Sequence, residues 1–201
     1  MSGGSSLLLL LIAAILSIIL GMGMPTAGVY ILLATLVAPA LINVGFEPLA
    51  AHLFIFYFGV MSFLTPPVAV SSFVAAGVAG AGMWTTGWAG MRLSAVAFLI
   101  PFVWAYDPAL LLDGSPLAVA VVIATTLGAV MLIARGQELL GRRDAGSRLR
   151  SLAMAAGVVV VGTSPIWLGG ESVLALALGV GAVATAVWLP RIADPEPRTV
   201  P

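Results

Sequence analysis

The amino-acid sequence predicts an all-α membrane protein that crosses the bilayer several times. Of its 201 residues, 61% are hydrophobic and only 8% are charged, whereas about 25% of the residues in an average soluble domain are charged. So few charges cannot cover a soluble globule, which excludes a soluble enzyme, a nucleic-acid-binding protein and a disordered chain. The hydrophobic residues also form continuous runs of the length that helices need to cross a bilayer core about 30 Å thick.

These runs predict about six transmembrane helices and one re-entrant helical hairpin. A broken helix is expected over 7–43, interrupted at Gly21–Thr26, because glycine frees the backbone and Pro25 has no N–H to donate. The next run, 49–82, is divided by Thr65-Pro-Pro into two limbs too short to cross a bilayer, which indicates a re-entrant hairpin. A span over 91–106 follows.

The remaining residues, 113–190, predict a C-terminal helical extension that ends in a loose tail over 191–201. Its expected parts are helices over 117–134, 152–168 and 172–189, with an arginine-rich connector over 135–150. The positive-inside rule places that connector in the cytoplasm. Counting the predicted spans back from the connector places the open end of the hairpin in the cytoplasm as well.

The two interruptions form the candidate binding site. Each frees backbone carbonyl groups beside hydroxyl groups, those of Thr26 in the first and of Ser62 and Thr65 in the second. Such neutral oxygens suit a sodium ion, and the N-terminus of a following helix suits an anion. This is the discontinuous-helix arrangement of secondary transporters, although a single Gly/Pro break in a membrane helix is also compatible with a simple kink.

The residues give less support to proton relay or enzymatic chemistry. The chain has no cysteine, and no carboxylate falls within a predicted span, so a proton relay has no obvious group. His52, the single histidine, is expected at a helix end or facing the helix bundle rather than relaying protons. Two alternatives to a transporter remain: a non-transporting membrane scaffold or accessory subunit, and an intramembrane enzyme, which would lack an evident catalytic pair.

Three stretches resemble one known family. They are GMGMPTAGVYILLATLVAPAL at 21–41, PLAAHLFIFYF at 48–58 and TPPVA at 65–69. In this order and spacing they resemble the large permease subunit of tripartite ATP-independent periplasmic (TRAP) transporters, particularly the fused permeases paired with TAXI-type binding proteins. The resemblance covers 1–112 and implies that this region is the C-terminal part of the transport domain, which is half of an inverted-repeat fold.

The resemblance implies a function and a set of partners. The expected function is sodium-coupled, elevator-type import of small organic acids across the bacterial inner membrane, with a periplasmic solute-binding protein delivering the substrate. No cofactor is expected apart from sodium as the coupling ion. The family's first half is absent, so the chain is expected to act with a missing N-terminal permease half or a small permease subunit within the lipid bilayer. Either Met1 is an internal methionine of a longer protein or the remainder is a separate chain.

The resemblance also implies the site residues. Substrate and sodium are expected to bind at Gly21, Gly23, Pro25, Thr26, Ser62, Thr65, Pro66 and Pro67. Sodium would be held by backbone and hydroxyl oxygens near Gly23, Thr26, Ser62 and Thr65. In this family picture the hairpin opens outward, opposite to the orientation that the positive-inside rule gives, and both orientations stay open.

Overall fold

The protein is described by a computed structural model over residues 3–140. This range contains α-helices and turns and no β-strand. Its helices are α1 (Gly3–Gly21), α2 (Thr26–Leu36), α3 (Ala38–Val44), α4 (Pro48–Met61), α5 (Val70–Ala79), α6 (Met83–Leu93), α7 (Ile100–Tyr106) and α8 (Pro116–Leu140). The chain divides into two units, Met1–Pro108 and Ala109–Pro201. The predicted helices at 152–168 and 172–189, the rest of the connector from residue 141 and the tail at 191–201 lie outside the described residues.

Helix α4 is the centre of the first unit. It packs against α1, α2, α3 and α7. It begins where the Glu47 carboxylate accepts a hydrogen bond from the Ala50 N–H at 2.8 Å, an N-cap that satisfies one otherwise unpaired donor. Phe54 and Phe58 are fully buried, and both make edge-to-face contacts with Phe102 of α7. The aromatic side of α4 therefore supplies much of the core.

Helix α1 has two unlike apolar faces. The face toward the core carries small residues, with Ala13, Ala14 and Ser17 buried. The opposite face carries large aliphatic side chains that are exposed, at residues 8, 12, 15 and 19. Small residues on the inner face let the α1 backbone approach α4 closely, as in packed membrane helices.

Helices α2 and α3 together occupy the segment predicted as the second limb of the broken helix. They are bent by 41° at Val37. Pro39 explains the bend, because it has no N–H to donate and its ring displaces the carbonyl of Thr35. Within residues 3–140 no single helix has both the length and the apolar composition of a membrane span, whereas this bent pair meets both requirements jointly.

The predicted hairpin over 49–82 is paired differently in the structure. Its expected limbs correspond to α4 and α5, but α5 packs against α6, while α4 belongs to the bundle around α1. Gly80, in the left-handed conformation at φ 63°, ends α5 and allows the tight turn into α6. Two glycines of α6 then allow α5 to pack closely against it. A Cβ atom on Gly90 would lie 2.8 Å from Ser72 Oγ, and a Cβ atom on Gly87 would lie 3.5 Å from Phe73 Cε1.

The predicted span over 91–106 is not one helix. Helix α6 ends at Leu93, residues 94–99 form successive turns, and α7 begins at Ile100. Ser94 Oγ donates to the Gly90 carbonyl at 2.8 Å, and Pro101 has no N–H to continue a helical ladder. These two residues explain why an apolar run of helical length is interrupted.

The second unit is described only through its first part. Helix α8 covers the predicted helix at 117–134 and continues to Leu140, so the connector expected from residue 135 begins as helix. The Ser115 hydroxyl accepts a hydrogen bond from the Ala118 N–H at 3.2 Å near the start of α8. Val121, Val122 and Thr125 are buried.

Candidate functional site

The first helix break spans residues 22–25, between α1 and α2. Gly23 adopts a left-handed conformation, with φ 78°, that an L side chain would strain. The final carbonyl groups of α1 receive long hydrogen bonds: Met22 N donates to Ile19 O at 3.3 Å and Met24 N to Gly21 O at 3.5 Å. These distances lie beyond the usual N–H···O range, so the carbonyl oxygens keep capacity for another partner.

The second break spans residues 62–69, between α4 and α5. Ser62 is buried and its hydroxyl donates to Gly59 O at 2.6 Å, while the half-buried Thr65 donates to Met61 O at 2.8 Å. Ser71 N at the start of α5 donates back to Phe63 O at 3.1 Å. Both hydroxyl groups use their proton in these bonds, so each oxygen retains lone pairs with which to accept.

The two breaks meet at Gly21 and Ser62. A Cβ atom on Gly21 would lie 2.6 Å from Gly59 O and 2.9 Å from Ser62 Oγ. The backbone at the end of α1 therefore touches the last turn of α4, and the C-terminal ends of both helices come together. Gly21, which the sequence singled out for its flexible backbone, is required here because a side chain would not fit.

Gly59 is a site residue that the sequence reasoning missed. It also packs against α2, where a Cβ atom on Gly59 would lie 2.6 Å from Val29 Cγ1 and 3.1 Å from Leu33 Cδ1. Gly59 thus lets α1 and α2 both approach α4 at the level of the breaks. The available signal was a lone glycine directly after the bulky run at 54–58, since small residues mark close helix contacts.

The other predicted site residues are distributed unequally. Gly23, Pro25 and Thr26 are exposed, and the space around Gly23 is open for 4 Å. Pro66 is half-buried and packs against α6, because its Cγ would lie 3.4 Å from a Cβ atom on Gly87. Pro67 is exposed. The structure therefore brings Gly21 and Ser62 into contact but leaves the middle of the first break at the surface.

The electrostatics of the site come from the backbone. Among residues 3–91 the only formal charge is Glu47, which caps α4 at the opposite end from Ser62. The C-terminus of an α-helix carries a partial negative charge and the N-terminus a partial positive charge. The converging ends of α1 and α4 therefore favour a cation, and the starts of α2 and α5 favour an anion.

Two further polar groups lie on the helices that form the site. His52 of α4 pairs with Tyr30 of α2, with 3.2 Å between the tyrosine hydroxyl and Nδ1. The fully buried Ser17 lies on α1 one turn before Gly21. Within residues 3–140, no group of three or more His, Asp or Glu side chains is placed to bind a metal ion.

Comparison with known proteins identifies the family. The family model described as tripartite ATP-independent periplasmic transporter, DctM component, matches residues 1–119. The chain belongs to this family. The DctM match contains both helix breaks and all of α1–α7, and it confirms the resemblance to the large TRAP permease subunit.

Membership makes the chain a TRAP-type permease component, and the DctM family is a transporter component rather than an enzyme family. Comparisons with curated proteins and with solved structures gave no match.

Proposed function

We propose that this chain forms the part of a TRAP permease that holds a coupling sodium ion and contacts a small organic acid substrate. The chain would lie in the bacterial inner membrane and receive its substrate from a periplasmic solute-binding protein. Import would also require the other permease half or a small permease subunit. Sodium would bind between the C-terminal ends of α1 and α4, and the substrate carboxylate at the start of α2.

The observation that carries this proposal is the contact between the two helix breaks. Gly21 at the end of α1 touches Gly59 O and Ser62 Oγ at the end of α4. Two discontinuous helices that meet at their broken ends are the arrangement in which transporters bind ions and substrates. A simple kink in either helix would give no reason for the two breaks to adjoin.

The chemistry of this contact suits a small hard cation. The available groups are backbone carbonyls with long hydrogen bonds and the hydroxyl oxygens of Ser62 and Thr65. Two negative helix ends add to the attraction. Because these oxygens are neutral and no carboxylate is present at the contact, sodium coupling is favoured over a proton relay.

The start of α2 suits the carboxylate group of an organic acid. Pro25 occupies the N-cap position and offers no side-chain cap, so the first N–H groups of α2 remain for another acceptor. Residues 26–28 are exposed. The first break thus presents its cation-binding end to α4 and its anion-binding end to the surface.

The outer face of α1 supports a location in the bilayer. Leu8, Ile12, Ile15 and Ile19 are between 46% and 58% exposed and recur along one face of the helix. No charge interrupts this face. A contiguous exposed apolar surface backed by a face of small residues is typical of a helix in contact with lipid.

The deciding experiment compares Thr65→Val with the unchanged protein, each within the complete permease reconstituted in vesicles. Valine keeps the shape of threonine and removes the hydroxyl oxygen. We expect the sodium concentration for half-maximal organic acid uptake to rise about tenfold, the effect of losing one interaction of about 1.4 kcal/mol with a charged group.

Thr35→Val is the matched control. Thr35 also donates to a carbonyl of its own helix, at 2.9 Å to Leu32 O, but lies at the far end of α2 from the break. Its replacement should leave the sodium dependence unchanged. Sodium dependence that is equal in Thr65→Val and the unchanged permease would contradict the assignment of the site and favour a scaffold role.

A further inference from the structure

Ser17 is an unusual hydroxyl group in this fold. It is fully buried, and its Oγ has no hydrogen-bond partner. The buried Ser62 and Thr125 each donate to a carbonyl three or four residues earlier in their own helices, which is the ordinary way to satisfy such a group. A buried hydroxyl without a partner is unfavourable unless something else binds it.

The position of Ser17 connects it to the meeting of the two breaks. It precedes Gly21 by four residues, so both lie on the same face of α1, about 6 Å apart along the helix axis. That face is the one buried against α4, since Ala13, Ala14 and Gly21 on it are buried as well. Ser17 therefore lies one helical turn inside the contact that joins Gly21, Gly59 and Ser62.

The surroundings determine what kind of ligand Ser17 would bind. Helix α1 carries no charged residue, and its C-terminal end favours a cation over an anion. One helical turn farther along α1, the contact at Gly21 offers neutral oxygens: the Gly21 and Gly59 carbonyls and the Ser62 hydroxyl. An additional hydroxyl oxygen without a competing hydrogen bond adds to such a set without adding charge.

We infer that Ser17 is an additional ligand of the coupling cation, acting from the α1 side of the site. This inference rests on the proposed function and adds a residue that the helix breaks do not contain. A monovalent cation such as sodium gains a neutral oxygen, and the Ser17 hydroxyl gains the partner that the helix does not give it. Occupancy of the site would then tie α1 to α4 through a side chain as well as through the backbone.

The test measures sodium binding without transport. The protein at its natural length is purified in detergent, and its melting temperature is followed in sodium chloride at constant ionic strength, with potassium chloride as the substitute salt. A ligand that binds only the folded state raises the melting temperature as it saturates its site. The variants are Ser17→Ala and Ser17→Cys. The control is Ser94→Ala, which removes a hydroxyl group that already donates a hydrogen bond to the Gly90 carbonyl.

Ser17→Ala has an expected signature with two parts. The half-saturating sodium concentration should rise at least about tenfold, and the melting temperature in potassium should stay equal or increase, because alanine favours the helix and removes an unpaired hydroxyl. Ser17→Cys, whose sulfur is a soft ligand, should lose the sodium response to the same degree. Ser94→Ala should keep it.

Contrary results separate the two hypotheses. If the unchanged protein responds to sodium and Ser17→Ala responds at the same concentrations, the role of Ser17 is refuted and the sodium site stands. A melting temperature that falls in potassium, with an unchanged sodium response, assigns Ser17 to packing and likewise refutes the inference. If the unchanged protein melts at the same temperature in both salts, the proposed sodium site itself is refuted.

Discussion

Both helix breaks combine proline with neighbouring hydroxyl residues, and the first also contains glycine, but their environments differ. In the first break Gly23, Pro25 and Thr26 are exposed, and only its beginning, at Gly21, is tightly packed. In the second break Ser62 is buried, Thr65 is hydrogen-bonded to the end of α4, and residues 62–69 are tied to α5 through Ser71 N. We call the first, exposed break the open break and the second, hydrogen-bonded break the braced break.

Under the proposed function, this difference would give the two breaks different roles within one site. The braced break holds its oxygens in fixed positions, which is what selective binding of a small ion requires. In that proposal, the open break would admit the larger ligand, an organic acid, next to the start of α2. Substitutions in the braced part should therefore change stability and sodium binding together, whereas replacing an exposed side chain of the open part, such as that of Thr26, should change ligand binding with little change in stability.

The largest effect is expected where the two breaks touch. In Gly21→Ala the new Cβ meets the backbone oxygen of Gly59 at 2.6 Å, and no side-chain rotation relieves that contact. We expect a loss of about 1–3 kcal/mol in the free energy of unfolding together with a loss of sodium-driven uptake. Melting of the purified protein and uptake in vesicles measure the two effects.

Gly28→Ala is the control for Gly21→Ala. Gly28 lies in α2 with open space around its Cβ position. Alanine there should be neutral or stabilise by up to about 1 kcal/mol, because alanine is the better helix former. A Gly21→Ala protein as stable as this control would contradict the close contact between α1 and α4.

The sequence predicted the breaks more successfully than their surroundings. Glycine and proline mark departures from helix by local backbone chemistry, so interruptions at Gly21–Thr26 and at Thr65-Pro-Pro could be predicted from the residues alone. The roles of Gly59 and Ser17 were not predicted, because they depend on which helix lies against each residue. A serine in an apolar helix usually bonds to its own backbone, and only the packed structure reveals one that does not.

Helix pairing was the least predictable part of the fold. Residues 49–82 were predicted to form a re-entrant hairpin and 91–106 a single span, yet the structure joins α5 to α6 and interrupts the second segment at Ser94. In an apolar chain every helix face is hydrophobic, so periodicity does not indicate which faces meet. The turn at Gly80 and the small residues of α6 decide the pairing through local geometry.

An intermediate effect is expected from Gly23→Ala. Gly23 and Gly80 both have positive φ, 78° and 63°, and both have open space at the Cβ position. Alanine at either position should cost about 1 kcal/mol through backbone strain alone. Only Gly23 lies in a break, so only Gly23→Ala should also raise the half-saturating sodium concentration in the melting experiment. Equal sodium responses in the two variants would show that the backbone of the open break is not part of the ion site.

The smallest effect on stability is expected from Thr26→Val, and this variant tests the open break most directly. Thr26 is exposed in the first turn of α2, so its replacement should change the free energy of unfolding by less than about 0.5 kcal/mol. Loss of one hydroxyl contact should nevertheless weaken the apparent affinity for the organic acid about threefold to tenfold. Thr85→Val, an exposed threonine in the first turn of α6, should change neither quantity. If Thr26→Val instead lowered the melting temperature as strongly as Gly21→Ala, the first break would be packed like the second, and the distinction between an ion-holding and a substrate-facing break would have to be abandoned.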